Sequence, residues 1–69
     1  MANEHLLRTT LIRRNDVQAQ TGLARSTIYK LIATRDFPPP VRLTAKAVAW
    51  AQADVDSWIA GRIAASKPQ

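Results

Sequence analysis

Three consecutive prolines, Pro38 to Pro40, lie just past the middle of this 69-residue chain. Proline lacks the amide donor a helix needs and holds the residue before it in extended backbone, so no helix passes through Asp36-Phe-Pro-Pro-Pro40. Each half of the chain must therefore find its own secondary structure, and little apolar material is on hand to join them. Twelve of the hydrophobic residues are alanine, which leaves 20 larger apolar side chains for a core. Below roughly 70 to 80 residues, burial barely outweighs chain entropy, and natural folds add a disulfide, a metal, a partner or very tight helix packing. The absence of cysteine removes the disulfide and any thiolate metal site. One small unit is expected, too small for a second domain or a large catalytic scaffold.

Before the prolines, residues 1 to 10 carry no periodicity beyond Leu6 and Leu7 and are expected to form a flexible tail. Leu11 and Ile12 are the first apolar anchor. Asn15 is placed to cap a helix with Gln18 reaching back to it, and Asp16 suits the positive end of that helix. Val17 should point inward, and Thr21-Gly22 should end the helix, because glycine accepts the left-handed conformation of a C-cap. Leu23 then plugs the corner. From Arg25 to Thr34, apolar residues at 28, 31 and 32 follow the spacing of a helix with one buried face. Its opposite face falls on Ser26, Lys30 and Ala33, flanked by Thr27 and Tyr29. Ala24 is a poor N-cap, so this helix is expected to begin at Arg25 or Ser26.

After the prolines, Val41-Arg-Leu43 and Val48-Ala-Trp50 alternate across Thr44-Ala-Lys-Ala47, the pattern of a two-stranded hairpin. From about Gln52 to Ala65, Val55, Trp58, Ile59 and Ile63 make an apolar stripe, with Asp54 and Asp56 early and Arg62 late. Gly61 costs such a helix about 1 kcal/mol against alanine, which hints at a close contact there. The expected architecture is mainly α, a winged helix-turn-helix of three helices with a two-stranded wing. Its domain spans residues 11 to 65, and residues 66 to 69 form a frayed end.

The formal charge is +5, and its location is more informative than its size. Arg13, Arg14, Arg25, Lys30, Arg35, Arg42 and Lys46 face only Asp16 and Asp36 between residues 13 and 46, whereas both ends are neutral. Concentrated positive charge implies a polyanionic partner. No apolar run approaches the ~20 residues of a membrane span, and the N-terminus lacks the pattern of a signal peptide, so a cytoplasmic location is expected. A short helix with a small, polar, cationic face fits the DNA major groove, where base edges present distinct donor and acceptor patterns. Ser26 and Lys30 are suited to base edges, and Arg25, Thr27 and Tyr29 to flanking phosphates. For Tyr29, packing against the core edge is an equal alternative. Lys46, at the hairpin tip, suits a phosphate or minor-groove contact.

The stretch Leu11-Ile-Arg, Val17, Thr21-Gly-Leu-Ala-Arg-Ser-Thr-Ile-Tyr-Lys-Leu-Ile32, followed by Phe37-Pro-Pro-Pro-Val-Arg-Leu43, Lys46-Ala-Val-Ala-Trp50 and Val55-Asp-Ser-Trp-Ile59, closely resembles the AlpA family of phage and prophage regulators. The resemblance runs from about Leu11 to Ala65. It implies a MerR-like or excisionase-like winged helix that binds double-stranded DNA, as a transcriptional regulator or as a factor in prophage excision. Its DNA-facing segment maps onto Arg25, Ser26, Thr27, Tyr29 and Lys30, with Lys46 in the wing. Two positions depart from the family pattern: Ala24 replaces the usual capping serine, and Arg14 stands where an apolar residue is common, which makes Arg14 a further candidate for contact with DNA.

A single recognition helix covers only a few base pairs, so several copies on repeated or inverted sites are expected. No phosphate-binding glycine loop, carboxylate cluster or nucleophile-base pair appears, so neither an enzyme nor a cofactor or metal site is expected. His5 has no partners nearby in sequence. Trp50 and Trp58 are expected in the core. The alternative from another class is a protein-interaction module that acts on a larger regulator through the Trp58 helix.

Overall fold

The computed structural model of the chain describes residues 10 to 66, so the expectations for His5 and for most of both tails fall outside the described residues. The elements are β1 (Leu11–Ile12), α1 (Arg14–Thr21), α2 (Arg25–Ala33), β2 (Val41–Thr44), β3 (Ala47–Ala51) and α3 (Gln52–Ser66). The fold is mainly helical and winged-helix-like, but its sheet has three antiparallel strands in the order β1-β3-β2 rather than two. Leu11 and Ile12, read from sequence only as an anchor, form an edge strand paired with Ala51 and Trp50. A strand of two residues is too short to display alternation, so it leaves no period to detect.

The core takes one buried side chain from almost every segment: Ile12 from β1, Val17 from α1, Ile28 from α2, Phe37 from the proline loop, Trp50 from β3 and Val55 from α3. Such economy fits the small apolar inventory. Burying an indole the size of Trp50 contributes roughly 4 to 6 kcal/mol by area, the largest single share such a core can draw on. Trp58 is half-buried, stacked edge-on to Phe37 with ring centroids 4.8 Å apart. β2 is exposed at every position and adds nothing to the interior.

The two tryptophans also solve a problem that the prolines create. A proline loop cannot join a ladder as a donor, so its carbonyls need donors from elsewhere. The Trp50 indole donates to the Pro38 carbonyl at 3.1 Å, and the Trp58 indole donates to the Asp36 carbonyl at 2.6 Å. One residue on each side of Phe37 is thus held, and Phe37 is pressed into the core at 4 % exposure.

Three local expectations are corrected. Helix α1 starts two residues earlier than expected: Arg13 is its N-cap, and Asn15 lies inside the first turn. The cause is Asp16, whose carboxylate accepts the Arg13 amide at 3.3 Å and so takes the place assigned to Gln18. The hairpin turn is shorter than the four residues expected, because Thr44 pairs with Ala47 and only Ala45-Lys46 remain between them. Neither turn residue has a positive φ, so the turn is not the mirror-image type that selects Asn-Gly. Instead the pairing is irregular between Arg42 and Thr44, and the Thr44 hydroxyl accepts the Lys46 amide at 3.2 Å. Finally, the apolar stripe of α3 ends at Ile59. Ile63 is 56 % exposed, and a Cβ on Gly61 would meet nothing within 4 Å, so no close contact explains that glycine.

Candidate nucleic-acid interface

The link between α1 and α2 is built by side chains as well as by glycine. Gly22 adopts φ 74°, the left-handed conformation, and its amide donates to the Gln18 carbonyl at 2.8 Å. The Thr21 hydroxyl donates back to the Val17 carbonyl at 2.8 Å and accepts the Leu23 amide at 3.2 Å. Leu23 packs on the core, and the chain turns directly into α2. Ala24 caps that helix without any side-chain hydrogen bond, and α2 begins at Arg25.

Ile28 is the fully buried residue of α2, with Leu31 and Ile32 half-buried beside it. That orientation leaves Arg25, Ser26, Lys30 and Ala33 exposed, while Thr27 is half-buried. Tyr29 packs at the edge of the core. Its ring meets the Trp50 indole edge-on at 6.4 Å, yet the residue remains 38 % exposed. The Arg25 guanidinium lies 5.8 Å from the centre of the Tyr29 ring, one helical turn away.

Beside Tyr29 opens a cleft of about 370 Å³, lined by Arg13, Arg14, Asn15, Tyr29, Lys46 and Val48. Two elements supply its charge. Arg13 and Arg14 come from the start of α1, and Lys46 comes from the turn of the β2–β3 hairpin. No acidic side chain is among the lining residues. The Nε of Arg14 is buried and has no hydrogen-bond partner among the described residues. Buried donors are nearly always paired, so an unpaired one at the wall of a cationic cleft is an unusual feature of the fold.

The structure therefore brings Arg14, Tyr29 and Lys46 together, with Arg25 against the Tyr29 ring. Ser26 and Lys30 lie apart from the cleft, on the outward side of α2, and Thr27 does not line the cleft either. Arg13 and Asn15 were missed as site residues. Asp16, an acid three positions after Arg13, was the available signal, because it sets the helix start that points both residues at the cleft.

Among the described residues, no group of three or more His, Cys, Asp or Glu is gathered as a metal site would require. No described helix is long and apolar enough to cross a membrane.

The family described as prophage CP4-57 regulatory protein (AlpA) matches residues 10 to 63, which covers both helices of the turn, the hairpin and most of α3. The chain is also similar to an uncharacterized protein, ORF88, of Enterobacteria phage P4, with 50 % identity over 56 residues. That match covers 81 % of this chain and 64 % of the phage protein, so the chain spans just under two thirds of that relative's length.

Proposed function

The chain belongs to the AlpA family of prophage regulatory proteins, and on that basis we propose that it regulates by binding specific sites on double-stranded DNA. In this reading α2 enters the major groove, with Ser26 and Lys30 at base edges and Arg25 and Thr27 at the flanking backbone. The β2–β3 hairpin is the wing, carrying Lys46, and Arg14 and Tyr29 serve the phosphates between wing and helix.

The observation that carries this reading is the outward face of α2. Arg25, Ser26, Lys30 and Ala33 are exposed on a helix whose other side holds the fully buried Ile28. Small and cationic residues on that face allow close approach to a groove and supply donors to it. The Trp58 indole, by contrast, is committed to the Asp36 carbonyl and to Phe37, which leaves less of α3 for a protein-interaction role.

A footprint on the DNA flanking its own gene is the direct test, since it reports site, spacing and copy number together. Lys30→Ala should weaken specific binding by about 1 to 3 kcal/mol if Lys30 makes a good base contact. An affinity that does not fall as salt rises, or the lack of any protected site, refutes the reading. Protection of one isolated half-site refutes the expectation of several copies.

A further inference from the structure

We infer that the cleft between α1 and the wing is a seat for one DNA backbone phosphate, held from both sides by Arg14 and Lys46. This rests on the DNA-binding reading and adds to it a defined ligand for a defined cavity. Contact by α2 needs no such cleft. The wing could in principle hang free of the helices, but Lys46 at its tip shares a cavity with the first two residues of α1 and its N-cap.

Three features select a phosphodiester over other occupants. The charged lining is all cationic, contributed by Arg13, Arg14 and Lys46, and the cleft's remaining wall is Asn15, Tyr29 and Val48. The Arg14 Nε is a buried N–H with no partner among the described residues, so the guanidinium is not committed to a protein acceptor through that nitrogen. The first amides of a helix likewise have no intrahelical acceptor, and Arg14 and Asn15 are the first two residues of α1. Asp16 does not line the cleft, and its carboxylate accepts the Arg13 amide.

Two cations on one phosphate leave a signature that two separate contacts do not. Binding releases the counterions of each phosphate neutralised, so a phosphate shared by two side chains counts once, at about 0.9 in the slope of log affinity against log salt. The experiment measures binding of the full chain to a short mixed-sequence DNA duplex by fluorescence anisotropy, across about 50 to 200 mM salt. The double variant Arg14→Met/Lys46→Gln is expected to lower the slope by about 0.9. A fall of about 1.8 would place the two residues on separate phosphates, and no fall would place neither on DNA; either overturns the seat while leaving DNA binding intact. Lys46→Glu provides the check that cannot be confused with misfolding, because Lys46 is exposed on a turn. A carboxylate there removes one cation and opposes the arginines across the cleft, so the single change should lower the slope, and an unchanged slope overturns the proposal. A wild-type chain whose binding is flat in salt would fail the DNA reading itself, and the seat with it.

Discussion

Arg35 is the described non-glycine residue with a positive φ, at 64°. It ends α2 in a Schellman arrangement: the Asp36 amide donates to the Leu31 carbonyl at 2.8 Å, and the Arg35 amide donates to Ile32 at 3.0 Å. Glycine is the usual occupant of that position, because a side chain in the left-handed conformation costs about 1 to 2 kcal/mol. Arg35→Gly removes this cost but gives the unfolded chain about 0.4 to 1 kcal/mol of extra entropy. With the cation's interaction with the helix C-terminus also lost, about 0.3 kcal/mol at an exposed site, the net expectation is a stabilisation of about 0.5 kcal/mol, or roughly 2 to 4 °C in Tm for a domain of this size. Thermal and urea unfolding followed by circular dichroism at 222 nm would measure it, with an unchanged m-value indicating that the denatured state is unaltered. Arg35→Ala is the necessary companion. It removes the same charge, and the same favourable interaction of a cation with the helix C-terminus, but keeps the Cβ and therefore the strain. If the alanine variant gains as much stability as the glycine variant, relief of charge repulsion in a +5 chain is the cause, and the backbone argument is refuted.

Gly61→Ala should stabilise the chain by about 1 kcal/mol in the same assay, since the helix position is exposed and a Cβ there meets nothing; destabilisation would mean that α3 packs against something through that face. Trp58→Phe retains an aromatic ring against Phe37 but leaves the Asp36 carbonyl without its indole donor, so a loss of about 1 kcal/mol is expected, visible as a lower urea midpoint.

The parts of this fold that were legible in the sequence are those set by local chemistry. Gly22 ends α1 as read, the spacing of Ile28, Leu31 and Ile32 defines the buried side of α2, and Gln52 begins α3. The parts that were not legible depend on partners far along the chain. Nothing near Leu11 and Ile12 announces a strand, because the pairing that makes them one lies at Trp50 and Ala51. Gln20 and Gln52 exchange side-chain amide hydrogen bonds at 3.1 and 2.6 Å across 32 residues, tying α1 to α3 with groups that would read as ordinary surface. The position of Arg35 was missed for the opposite reason. It is a local feature, but arginine carries no signal for a conformation that glycine would normally occupy.

The missed strand has a direct bearing on the candidate site. With Ile12 opposite Trp50 in an antiparallel pair, each further step along the chain from Ile12 runs back along β3 toward Val48 and the Ala45-Lys46 turn. Arg13 and Arg14 follow immediately, and they meet Lys46 because of that direction and register. A parallel pairing, or a hairpin left unpaired on its β1 side, would leave the same charges dispersed. Trp50 sits at the centre of this geometry: its backbone registers β1, its indole holds the Pro38 carbonyl, and its ring edge meets Tyr29 on α2. The wing is thus referred to the helix-turn-helix through one fully buried residue. Prolines that first appear only to interrupt helices therefore have a second consequence. By needing outside donors they engage both indoles, and the engagement of Trp50 fixes where the wing's lysine stands relative to the arginines of α1.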